Sequence, residues 1–190
     1  MDKQDMETER KLDIIWAPWR MAYISKNGKG ETSVPPREFL PGADPECFIC
    51  QGAVCDPSQD RSRYILERTA RTITLFNRYP YNNGHLLVAP KRHIGRLDLL
   101  DREERLELQD AITRWTGILE KTMNAEGFNV GLNLGRVAGA GLPGHLHWHI
   151  IPRWNGDTNF TTTAGSLKVI PQSMDALWDV LKDYIAKNPQ

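Results

Sequence analysis

The 190-residue sequence predicts an α+β fold: a mostly antiparallel sheet of roughly five strands, with a long amphipathic helix packed on one face and a second helix near the carboxy terminus. Three observations predict it. Short apolar runs follow one another from Tyr64 with turn residues between them, one long stretch then carries apolar residues at three- and four-residue steps, and two further strand-like runs are joined by a glycine-rich loop.

The elements follow in order. Residues 1–12 are polar, after which IIWAPWRMAYI brings Trp16, Trp19 and Tyr23 close together before the Gly/Pro-rich run 26–46. Residues 1–46 therefore read as an amino-terminal arm with a flexible connection, its tryptophans filling a surface groove or a subunit contact. YILE, TITLFN and HLLVAPK form an antiparallel meander, with Asn82, Asn83 and Gly84 favouring a turn before the third strand. Asp101 with Glu104 makes a capping-box pattern, and Leu108, Ile112, Trp115, Leu119 and Met123 share one helical face, so a helix is expected from about Asp101 to about Asn124. FNVGLNLG and LHWHIIP supply the last two strands, joined by RVAGAGLPG, and Ser173 opens a final helix carrying Leu177, Val180, Leu181 and Tyr184 on one side. The chain thus divides into the arm at 1–46, a central domain at 47–160 and a carboxy-terminal extension at 161–190.

Lysine plus arginine equals aspartate plus glutamate at 24 each, so charge gives no support for a nucleic-acid or membrane-surface partner, and any phosphate ligand must be held locally. There is no apolar run of membrane-spanning length, and the start of the chain is charged; a soluble, cytoplasmic protein is expected. Three cysteines, two of them in a C-x-x-C pair, suit a reducing compartment and metal or redox use better than a disulfide framework.

All five histidines fall in two short segments, His85 and His93 in GHLLVAPKRH and His145, His147 and His149 in HLHWHII. In an extended strand 145, 147 and 149 line one face, opposite Leu146, Trp148 and Ile150. Imidazole titrates near pH 6.5 and serves as nucleophile, acid, base or ligand, so the cluster points to a metal site or to covalent chemistry. Three core histidines without such a role would be costly to desolvate.

HLHWHII resembles the signature of the histidine triad (HIT) superfamily of nucleotide hydrolases and transferases. FNRYPYNNGHLLVAPKRH and GFNVGLNLGRVAGAGLPGHLHWHIIPRWNGDTNF are similar to its earlier and final strands, and WAPWRMAYI, CFIC, RVAGAG and PRWNGDTNF resemble the bacterial branch related to diadenosine tetraphosphate phosphorylase. The resemblance implies a HIT-like fold, a homodimer, and cleavage of a nucleotide or dinucleoside polyphosphate at the α-phosphorus. In it His147 is the nucleophile and forms a nucleotidyl-histidine, His149 donates to a phosphate or leaving-group oxygen, and His145 completes the triad. Histidine rather than glutamine at 149 favours hydrolysis or phosphorolysis over sugar-nucleotide exchange. Asn77 corresponds to a ribose contact, Phe76 and Ile65 to walls for a base, and Asn133, Gly139 and Gly141 to the phosphate-facing loop; His85 supports the triad from behind. Leu142 and Pro143 depart from the family pattern, which has phosphate-binding polar residues there. Arg153, Trp154, Asp157, Thr158, Asn159 and Phe160 follow the triad strand and are candidates for the polyphosphate wall, with Arg136 and Lys91 as alternative phosphate partners.

Cys47 and Cys50 have the spacing of a ligand pair, and the resemblance completes a structural zinc site with His93 and His145. Two rival functions stand beside the nucleotidyl-histidine enzyme. A zinc metallohydrolase would use the three triad imidazoles as ligands, although the first and third stand about 13 Å apart along a straight strand. A nucleotide-binding regulatory module with little turnover would carry the same pocket residues.

Overall fold

A computed structural model of the chain describes residues 38–165 and 167–189. The aromatic segment with Trp16 and Trp19, and the rest of 1–37, lie outside the described residues.

Five antiparallel strands form one sheet in the order β1-β2-β3-β5-β4: β1 Ile65–Arg68, β2 Thr72–Phe76, β3 Leu86–Pro90, β4 Gly127–Gly131 and β5 Trp148–Arg153. Around them lie α1 Phe48–Val54, α2 Asp60–Arg63, α3 Arg102–Met123, α4 Phe160–Gly165 and α5 Met174–Lys187. The register decides what each face carries. Ile65, Leu75, Leu87, His149 and Gly131 are successive partners and share the front face, whereas Phe76, Leu86, Ile150 and Val130 form the adjoining row on the back.

Helix α3 seals the back. Leu108, Ile112, Trp115 and Leu119 are buried there against Leu66, Phe76, Leu86, Val88 and Ile150, as their helical spacing requires. Its start is the expected capping box, with Glu104 N–H donating to Asp101 Oδ1 at 2.7 Å and Asp101 N–H to Glu104 Oε2 at 3.0 Å. It stops at Asn124, whose φ of 51° is left-handed. On the front, α1 packs Ile49 and Cys50 against Ile65, Ile73, Leu75, Leu87 and Ala89.

The carboxy-terminal helix α5 is capped by Ser173, whose hydroxyl accepts from Ala176 N–H at 3.2 Å, and buries Leu177 and Leu181 in the back core. Trp178 Nε1 donates to Ile65 O and Lys182 Nζ to Leu66 O, each at 3.1 Å, so α5 also covers part of the β1 edge.

Several boundaries differ from the sequence expectation. Tyr64 is not in a strand but closes α2 in the left-handed region at φ 56°. β4 ends at Gly131, and residues 132–135 leave the sheet. β5 begins only at Trp148, because Leu146 N–H is drawn to Ile94 O at 2.6 Å on the segment after β3. Among the described residues no helix is long and apolar enough to cross a membrane.

Candidate active site

The late start of β5 separates the three triad histidines. Only His149 sits within the strand; His147 immediately precedes it, and His145 lies in the bend after Gly144. They share a neighbourhood, with His147 and His149 ring centroids 5.2 Å apart, but each takes a different partner.

His147 is 8% exposed, and its Nδ1 lies 2.8 Å from His145 O. A carbonyl can only accept, so the proton of the neutral ring is on Nδ1 and the lone pair is on Nε2. The backbone thus fixes His147 as a nucleophile-ready tautomer.

A second chain of bonds sets His149. Tyr81 N–H donates to His85 Nδ1 at 3.1 Å, which leaves the proton of His85 on Nε2, and that N–H donates to His149 Nδ1 at 2.9 Å. His149 therefore carries its proton on Nε2, a buried atom with no hydrogen-bond partner among the described residues. Burial, and then the neighbouring His149 and His147, push the His85 pKa down to about 3, so His85 stays neutral, and burial lowers His149 as well. Asn77 lies beside this pair: its N–H donates to His85 O at 3.0 Å and its Nδ2 to His85 Nδ1 at 3.4 Å.

Cys47, Cys50, His93 and His145 meet as one cluster whose four ligand atoms lie within 4.8 Å of one another. His145 Nε2 donates to Pro90 O at 2.7 Å, which turns its Nδ1 lone pair to Cys47 Sγ at 3.3 Å and Cys50 Sγ at 3.6 Å; His93 Nδ1 is 3.3 Å from Cys50 Sγ. Tetrahedral bonds of about 2.3 Å to sulfur and 2.0 Å to nitrogen give S–N edges of about 3.5 Å. Geometry and soft donors both fit a metal ion. His147 and His149 are not members of this cluster.

The loop between β4 and β5 follows the family expectation only in part. Gly139 takes φ 89° at the end of the 3-10 turn Arg136–Ala138, and a Cβ there would stand 3.9 Å from Asn133 Nδ2, so the two residues face each other. Gly141 is exposed, with open space where a Cβ would be. Leu142 instead packs on the cysteine-side core, and Pro143 O lies where a Cβ on Gly95 would come within 2.7 Å. These two positions serve the close packing of the loop beside the Cys47, Cys50, His93 and His145 cluster.

Other expected contacts are redistributed. Ile65 and Phe76 are 0% and 3% exposed and lie on opposite faces of the sheet, so they do not form two walls of one base pocket. Arg153 Nε and Nη2 bond Asp157 at 2.6 and 2.9 Å, and Asn82 Nδ2 joins them at 2.8 Å, so this pair locks the turn after β5. Arg153 holds the Asp157 carboxyl well below the usual carboxylate range. Lys91 Nζ donates to Ala70 O at 3.4 Å, and Arg136 is exposed on its 3-10 turn. The sequence does not single out Tyr81 and Asn82 as site residues; the turn signal of RYPYNNG hides that Tyr81 meets His85 through its main chain and the triad residue His149 through its ring.

A sheet sealed behind by one long helix and fronted by hydrogen-bonded imidazoles defines an α+β protein with a cluster of oriented histidines on one face. Residues 59–156 match the HIT domain, and the chain belongs to the HIT domain family. It is 35% identical over 179 residues to AP-4-A phosphorylase of Mycobacterium tuberculosis, covering 94% of this chain and 87% of that protein. It is 34% identical over 93 residues to the asymmetrical bis(5'-nucleosyl)-tetraphosphatase of Schizosaccharomyces pombe, covering 49% of this chain and 50% of the other. The fold is shared with Plasmodium falciparum diadenosine triphosphate hydrolase, solved in complex with Cyclomarin A, at a TM-score of 0.57 and 19% identity over 92% of this chain and 100% of that one.

Proposed function

We propose that the protein cleaves nucleoside or dinucleoside polyphosphates at the α-phosphorus through a nucleotidyl-His147 intermediate. The observation that carries this is the pair of preset rings: a lone pair on His147 Nε2 beside a His149 Nε2–H that has no partner among the described residues. The His147 lone pair attacks phosphorus, the P–O bond to the leaving phosphate or nucleotide breaks, and His149 Nε2–H bonds a phosphoryl or leaving oxygen. The positive charge formed on His147 is supported by His145 O. Water or inorganic phosphate then attacks phosphorus from the opposite side and frees the ring. Phosphorolysis is favoured by the phosphorylase relative that spans nearly the whole chain. Asn77 is assigned to the ribose, and Asn133, Gly139 and Gly141 to the phosphates.

Zinc is the metal we assign to Cys47, Cys50, His93 and His145. Four protein ligands close its shell, leaving no position to activate water, so its contribution is structural, holding α1 to the segment that carries the triad. The free cysteines support a reducing, cytoplasmic setting, and the exposed residues Asn129 to Gly131 of the edge strand β4 support a homodimer.

Incubation with radiolabelled diadenosine tetraphosphate should leave acid-labile label on the protein, and His147→Ala should leave none. Label retained in that variant would remove His147 as nucleophile. No label and no turnover in the wild type would favour the regulatory module. A nucleoside diphosphate formed only when phosphate is present identifies a phosphorylase; a monophosphate regardless of phosphate identifies a hydrolase.

A further inference from the structure

Tyr81 touches both imidazoles of the pair behind the reacting position. Its ring centroid is 4.7 Å from that of His85, and 5.8 Å from that of His149 with only 21° between the planes; its N–H donates to His85 Nδ1, and the residue is 57% exposed. We propose that Tyr81 is a positioning residue that holds His85 and His149 in the tautomers that aim an N–H at the substrate phosphoryl group.

The argument is one of polarity. Two neutral imidazoles joined by a hydrogen bond can run in either direction. If His85 carried its proton on Nδ1, its Nε2 would accept from His149 Nδ1–H, and His149 would turn a lone pair toward a phosphate oxygen that is itself an acceptor. A main-chain N–H cannot reverse, so Tyr81 N–H excludes that arrangement at the first link. Asn77 Nδ2 adds a second donor to the same nitrogen. The ring supplies the other half of the device. Its contacts, stacked at 21° on His149 and tilted at 45° to His85, pin residue 81 so that its N–H stays on His85 Nδ1; without the ring the loop is free to draw that N–H away. The outer surface of Tyr81 stays open, so truncating it leaves no buried cavity.

The effect on rate rests on the function proposed above, but the tautomers can be read without turnover. Imidazole 15N spectra of histidine-labelled protein should show His85 and His149 each protonated on Nε2 and bare on Nδ1 in the wild type and in Tyr81→Phe. Tyr81→Ala should give averaged, mixed-tautomer signals for both. With diadenosine tetraphosphate as probe, Tyr81→Phe should match the wild type, whereas Tyr81→Ala should lose about 10-fold in kcat with KM little changed, less than deletion of a transition-state donor outright. Should Tyr81→Ala melt early, Tyr81→Leu carries the same comparison. A wild-type His85 protonated on Nδ1, or an alanine variant with wild-type spectra and kcat, overturns the proposal. Absence of turnover in the wild type would strike the proposed function alone, since the spectra would still decide the role of Tyr81.

Discussion

His85 is fully buried and its pKa is depressed to about 3, against about 6.5 in an unfolded chain. As pH falls below 6.5 the unfolded state takes up this proton first, so the stability tied to neutral His85 is fully present above that value and declines toward pH 3. The slope from this one group is about 1.4 kcal/mol per pH unit. His85→Gln removes the titration: denaturant unfolding at pH 7, 6 and 5 should show a shallower loss in the variant, and parallel slopes would mean that folding leaves the His85 pKa where it is in the unfolded chain. The clustering of the five histidines and their alternate spacing were legible in the sequence, while the roles expected of His147 and His149 came from the resemblance to the histidine triad family. What was not legible is which nitrogen of each ring is bare. That is decided by main-chain groups, His145 O, Pro90 O and Tyr81 N–H, which every residue possesses and which leave no mark on residue type.

At the scale of elements, the long helix was readable to the residue at both caps. Asp101 and Glu104 form the reciprocal bonds that their spacing announces, and Asn124 takes the left-handed turn that ends the helix. Asp101→Ala should therefore cost about 1 kcal/mol in equilibrium unfolding, with the catalytic constants unchanged. An effect near zero would mean that Glu104, which also grips Arg92 through two oxygens at 2.9 and 2.7 Å, anchors the helix start alone. The short helices α1 and α2 escaped because they are too short for periodicity and lack a side-chain cap bond. The start of β5 escaped for another reason: HLHWHII alternates faultlessly, and only the tertiary pull of Ile94 O on Leu146 N–H, with the His145 ring turned to the cysteines, keeps its first three residues out of the sheet.

For the whole molecule, the two faces of the sheet have separate duties. The back is an apolar core completed by the last helix, and Leu181→Ala, at a fully buried site, should destabilise the protein by about 2–5 kcal/mol; a much smaller loss in thermal or chemical unfolding would mean that α5 is not part of the cooperative core. The front carries both histidine systems. On the zinc assignment, Cys47→Ser should reduce bound metal from about one per chain to near none by native mass spectrometry and lower the Tm. Full metal content in that variant would remove Cys47 from the ligand set.

His145 belongs to both front-face systems at once. Its ring faces thiols 98 and 95 positions earlier in the chain, while its carbonyl, on the same residue, bonds the ring of His147, the nucleophile we propose. A shift at the cysteines therefore moves the residue whose carbonyl sets the aim of the proposed nucleophile's lone pair, and in-line displacement at phosphorus is unforgiving of angle. Loosening that distant anchorage should show itself first as slower chemistry on a nucleotide still held normally, well before the molecule comes apart.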